Sequence, residues 1–90
     1  MELLRTYFKT RPVLKAYLFG SFAGGKADSK SDIDILVELD HSEKIGLRFI
    51  QMQIELQEIL KRKVDLVSSN SLSKHIKPFI DREKELVYAR

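Results

Sequence analysis

Gly20-Ser21-Phe22-Ala23-Gly24-Gly25-Lys26-Ala27-Asp28-Ser29-Lys30-Ser31-Asp32-Ile33-Asp34 decides how this chain folds. An apolar run, Ala16-Tyr17-Leu18-Phe19, leads straight into its Gly-Ser turn. Ten residues separate Ser21 from two aspartates with one residue between them, and they open a second apolar run, Ile35-Leu36-Val37. On a strand, side chains alternate between faces, so Asp32 and Asp34 share one face. Two carboxylates aimed the same way repel each other unless a cation sits between them, and Mg²⁺ prefers oxygen ligands of this kind. A Gly-Ser turn offers backbone N–H groups and a hydroxyl to a phosphate. The stretch reads as a site for a metal-bound nucleotide.

Working outward, residues 2–10 are expected to form a short helix with Leu3, Leu4, Tyr7 and Phe8 on one side. Arg11-Pro12 ends it, because the residue before a proline avoids the helical region. Residues 13–19 and 32–39 read as strands, separated by a loop or a single helical turn. Asp40-His41-Ser42 is a turn, with Ser42 as N-cap of a helix over residues 42–61. On that helix Ile45, Phe49, Met52, Leu56 and Ile59 form one apolar stripe for the sheet. Leu47, Ile50 and Ile54 form a second stripe on the opposite side. Either another element of the chain covers it, or it is a partner surface. Residues 64–67 make a third strand carrying Asp65. A broken helix over residues 72–84 should start close to Pro78, with Ile76, Phe79 and Ile80 as its apolar side. Leu86-Val87-Tyr88 reads as a short edge strand.

Ninety residues make one domain with one modest core. The net charge of +3 is mildly basic, and Lys and Arg are spread along the chain, denser at residues 61–63 and 74–77. Solvated faces account for them better than a basic nucleic-acid stripe, and contact with nucleic acid stays open. Cysteine is absent, so there is no disulfide framework and no thiol nucleophile. The start of the chain lacks the apolar core of a signal peptide, and no stretch approaches a membrane span. A cytoplasmic protein with no membrane contact is the expectation.

Rival readings of the site fail on particular residues. Residues 20–27 nearly spell a P-loop, but Ala27 stands where Ser or Thr must hold Mg²⁺. A calcium loop from Asp28 fails because Ile33 replaces the turn glycine and Leu39 the closing glutamate. A capping box at residues 31–34 conflicts with the β-branched, partly alternating run that follows. Asp-x-Asp alone would also suit a glycosyltransferase, but the Gly-Ser turn at its fixed distance and the later Asp65 favour another family.

The combination of Gly-Ser, ten residues, Asp-x-Asp and a strand aspartate about thirty residues later resembles the polymerase-beta-type nucleotidyltransferases. Length and the wording of residues 20–39 resemble the minimal nucleotidyltransferases within that superfamily, often paired with a HEPN-domain protein in toxin–antitoxin modules. The resemblance implies an α+β fold, a small mixed sheet of three to four strands flanked by helices in the order α-β-(turn)-β-α-β-α. It implies that Gly20 and Ser21 hold a triphosphate and that Asp32 and Asp34 bind Mg²⁺, two ions in all. Asp65 would be the third carboxylate and would take the acceptor's proton. Where many relatives carry an arginine, this chain has Gly24, and Lys26 is the candidate replacement.

The expected activity is transfer of a nucleoside monophosphate, AMP from ATP or another NTP, onto a hydroxyl. The resemblance points to a tyrosine of a HEPN-type toxin, the chain then acting as antitoxin. The expected partners are that toxin or a second copy of this chain, docked on Leu47, Ile50 and Ile54. A different reading keeps the fold without the chemistry, as a module that neutralises a toxin by covering it. Transfer to an RNA end or a small molecule is a third.

Overall fold

Two short antiparallel pairings and one parallel pairing place every feature of interest. The computed structural model describes residues 2–20, 32–42 and 44–90. Helix α1 is Glu2–Phe8, strand β1 is Val13–Phe19, and β2 is Ile33–Leu39. Helix α2 is Leu47–Leu60, β3 is Val64–Ser68, α3 is Lys77–Glu83, and β4 is Glu85–Ala89, with a 3-10 turn at Ser69–Ser71. The sheet order is β3-β2-β1-β4. Strand β1 runs antiparallel to both β2 and β4, while β2 and β3 are parallel. Parallel neighbours need a long crossover, and α2 supplies it. The expected α+β class is therefore the observed one, and of the three to four strands expected in the mixed sheet the described residues form four.

One sheet face carries the core. Ile33, Ile35, Val37 and Leu39 of β2 join Val64 and Leu66 of β3 in a buried cluster with Leu4, Tyr7 and Phe8 of α1 and Met52 and Leu56 of α2. Alternation turns Asp34, Leu36 and Glu38 to the other face. Leu36 of β2 and Ile80 of α3 are buried yet lie outside that cluster. The Tyr7 hydroxyl fastens α1 to α2 by donating to Glu55 Oε1 at 2.6 Å.

Several expectations need correcting. Helix α2 starts at Leu47, not at Ser42. Ser42 lies five residues ahead of the helix, where its hydroxyl donates to Asp40 Oδ1 at 2.6 Å, and Gly46 stands at the N-cap position with φ 41°. The inward stripe is Ile45, Phe49, Met52, Leu56 and Leu60, while Ile59 is exposed. At 3.6 residues per turn a helix of fourteen residues drifts, so the last inward position falls one residue later. Leu3 is exposed rather than on the buried side of α1. On α3 only Ile80 turns inward, and Ile76 and Phe79 face solvent. Leu47, Ile50 and Ile54 are exposed at 80%, 57% and 51%, and none of the described elements covers them.

Candidate active site

The site forms where β1 ends and β2 and β3 begin. The Ile33 N–H donates to the Lys63 carbonyl at 3.0 Å, which starts the parallel ladder. Gln57 of α2 accepts from the Val64 N–H at 3.1 Å and fixes the start of β3. These two bonds set the register, and the register puts Asp34 directly beside Asp65. On the other side Asp34 pairs with Phe19, one residue before the turn glycine.

Gly20 has φ +70°, a region that side-chain-bearing residues seldom adopt. A Cβ there would stand 2.5 Å from Asp34 Oδ2. The glycine is thus required twice, once for the backbone angle and once because the Asp34 carboxyl fills the space over it.

Asp34 is half-buried, and Asp65 and Asp32 are exposed. Burial pushes the Asp34 pKa up first, then the negative charges of Asp65 and Asp32, then a hydrogen bond shared with the Asp65 carboxyl. Asp32 sits just ahead of β2, and its Oδ2 lies 3.9 Å from Lys63 Nζ. Two of the three expected carboxylates therefore meet, while the third stays close enough to be felt but leans toward a lysine. Among the described residues no three acidic or histidine side chains form a ready metal cluster. Ser21 and Lys26, the other expected phosphate contacts, and Gly24 lie outside the described residues.

The donor set suits a hard divalent cation. The oxygens are carboxylate oxygens, they crowd one another, and the crowding already favours a shared positive charge at Asp34. Lys63 beside Asp32 was not singled out as a site residue from the sequence, because the register that pairs Ile33 with Val64 is what brings it there.

A family model described as polymerase beta, nucleotidyltransferase matches residues 2–90. A putative protein adenylyltransferase of Methanocaldococcus jannaschii is 37% identical over 71 residues, which cover 79% of this chain and 75% of that protein. The solved structure of a putative minimal nucleotidyltransferase superposes with a TM-score of 0.82 at 26% identity, covering 96% of this chain and 87% of that one. A tri-AMPylated Shewanella oneidensis HEPN toxin in complex with MNT antitoxin gives a TM-score of 0.68 at 22% identity over 100% of this chain and 74% of that one. With the family model spanning all but the first residue, and with this sheet and turn beneath it, the chain belongs to the polymerase-beta nucleotidyltransferase family, among its minimal members.

Proposed function

We propose that the chain transfers AMP from ATP to a hydroxyl, and that the acceptor is a tyrosine of a HEPN-type toxin, which the transfer silences. The observation that carries this reading is the Asp34–Asp65 pair on adjacent parallel strands, packed against a glycine turn with no room for a side chain. The relative named a protein adenylyltransferase and the AMPylated toxin complex support AMP as the group transferred.

In the reaction the acceptor oxygen bonds to the α-phosphorus as the α–β bridging bond breaks. Pyrophosphate leaves with the electron pair. Asp65, the more exposed of the pair, takes the acceptor's proton on its carboxylate. Asp34 sits deeper beside Gly20 and Asp65, so its carboxylate would be the fixed point for the cation that orients the reacting phosphate. Gly20, Ser21 and Lys26 are assigned to the triphosphate. Asp32, Asp34 and Asp65 would hold two Mg²⁺ ions, which neutralise the phosphates and ease ionisation of the hydroxyl when bound. Positioning and neutralisation are most of what such transfers ask of a protein.

The exposed Leu47, Ile50 and Ile54 face favours a docked protein, either the toxin or a second copy. That face alone would also serve a covering module without chemistry. The deciding experiment gives the protein α-labelled ATP, Mg²⁺ and a HEPN-type partner. Label should move to the partner with wild type and not with Asp34→Ala or Asp65→Ala. Neutralisation of the toxin by Asp34→Ala at wild-type strength, without label transfer, would establish the covering module instead.

A further inference from the structure

The transfer step gives Lys63 no part, although it stands at the edge of the carboxylate cluster. Its Nζ lies 3.9 Å from Asp32 Oδ2. Asp32 and Lys63 each precede by one residue the first pair of the parallel ladder, Ile33 with Val64. The main chain of Lys63 is fixed on both sides. Its carbonyl accepts from the Ile33 N–H at 3.0 Å, and the next N–H, that of Val64, donates to Gln57 Oε1 at 3.1 Å. The tip of the side chain is held far less. The Lys63 side chain is 68% exposed and that of Asp32 45%. An ion pair this long and this exposed contributes little, so the ammonium leaves Asp32 at small cost. Lysine suits such a move, being a compact charge with rotatable donors on a flexible four-carbon stem.

The surrounding charges give the move a direction. After burial, the charges of Asp65 and Asp32 are what push the Asp34 pKa up, so the three carboxylates feel one another. Such a cluster attracts cations, and in the structure Lys63 supplies one from the protein itself. A divalent cation held by Asp32 has the same sign as the ammonium and would share its oxygen. At ion-pair distance the two repel. The triphosphate that enters with that cation is the nearest fresh negative charge. Its oxygens accept from an ammonium, which binds phosphate as a point charge without a fixed geometry.

We propose that Lys63 is a phosphate-binding residue of the transfer reaction, resting on Asp32 until a divalent cation takes that carboxylate and then turning to the triphosphate. This assignment rests on the nucleotidyl-transfer reading and adds a residue to the same site. It makes two effects of one substitution run in opposite directions. Losing the ammonium removes a competitor for Asp32 and so strengthens the hold on the cation. The same loss removes a donor from the triphosphate and so weakens the hold on ATP.

The test compares wild type with Lys63→Met, Lys63→Arg and Lys61→Met at constant ionic strength, because exposed charges are screened by salt. Lys61→Met removes the same charge two residues away. Urea unfolding confirms that each variant is folded. The first readout is the Mg²⁺ concentration that gives half the full rise in melting temperature, without nucleotide. In Lys63→Met it should fall about two- to fivefold, the scale of one exposed ion pair released. The second is calorimetric titration of ATP at saturating Mg²⁺. There Lys63→Met should bind at least about tenfold more weakly, the scale of one charged hydrogen bond lost. Lys63→Arg should restore most of the ATP affinity, and Lys61→Met should match wild type in both readouts. Unchanged ATP affinity in Lys63→Met overturns the phosphate contact, and an Mg²⁺ midpoint that stays or rises overturns the resting place on Asp32. Either result sinks the proposal while transfer of label to the partner still stands. So does Lys61→Met behaving like Lys63→Met, because net charge alone then accounts for both effects. Wild type that binds no ATP overturns the transfer reading itself.

Discussion

At the scale of single residues, Gly20 and Asp34 constrain each other. An alanine at position 20 must hold φ +70°, at a cost of about 1–2 kcal/mol. Its Cβ would also meet the Asp34 carboxyl, which is the movable end of a side chain and can rotate away. Gly20→Ala should therefore lower stability modestly and transfer much more, by at least about tenfold in kcat, because the carboxylate loses its aim. A variant that loses stability but keeps full kcat would show that Asp34's position over Gly20 is immaterial. The raised pKa of Asp34 carries its own sign. The folded value lies above the unfolded one, so ionised Asp34 costs stability at neutral pH, and acidification through its folded pKa relieves that cost. Asp34→Asn should melt higher than wild type in chelator at pH 7, and the gain should shrink as the pH falls into the carboxylate range. Added Mg²⁺ should raise the wild-type melting temperature and leave the variant's nearly unchanged. The turn of Asp34 away from the core was legible, because alternation within β2 depends on nothing outside the strand. The lean of Asp32 toward Lys63 was not, because it depends on the register of a strand about thirty residues away.

At the scale of elements, α2 shows where local signals suffice and where they fail. Its inward stripe followed from helical periodicity, and Met52 and Leu56 are buried as that requires. Its start did not follow, because Ser42 is taken into a turn in which its N–H and hydroxyl both donate to Asp40 Oδ1, and the chain enters the helix only after Gly46. The two faces predict opposite mutational outcomes. Leu56→Ala removes a fully buried side chain and should cost about 2–5 kcal/mol in urea unfolding. Ile54→Ala removes an exposed one and should stay within about 0.5 kcal/mol for the isolated chain. The same Ile54→Ala should weaken capture of the HEPN-type partner or self-association. If partner binding and self-association are both untouched by Ile50→Ala and Ile54→Ala together, the outward stripe is not the docking face. The misjudged α3 has the same lesson at smaller size: in seven residues, period alone cannot say which apolar side chain meets the sheet.

At the scale of the whole molecule, the strands are tied together at the end away from the carboxylates. Arg90 donates from one guanidinium nitrogen to Asp40 Oδ2 at 2.6 Å and from the other to the Arg11 carbonyl at 3.1 Å, and its N–H donates to the Leu14 carbonyl at 2.8 Å. Asp40 in turn donates its own N–H to the Pro12 carbonyl at 2.9 Å. One residue thus links the end of β4 to the segment before β1, to β1 itself and to the turn after β2. The Ser42 hydroxyl and then the Arg90 guanidinium hold the Asp40 carboxyl down to about 2. A depressed folded pKa stabilises above the unfolded value and loses that contribution as the pH falls through the folded one. Arg90→Ala should lower the melting temperature by a constant amount from pH 8 down to about 4, near the unfolded carboxylate value. Between about 4 and about 2 the gap to wild type should narrow as Asp40 is protonated in both proteins. A gap that stays the same at pH 2 would mean that Arg90 acts through its bonds to the Arg11 and Leu14 carbonyls and owes nothing to Asp40. Transfer activity at neutral pH is the complementary readout. The tie and the carboxylates lie at opposite ends of the same strands, so loosening one end should leave kcat within about twofold, an effect of a few tenths of a kcal/mol, if the sheet is rigid between them.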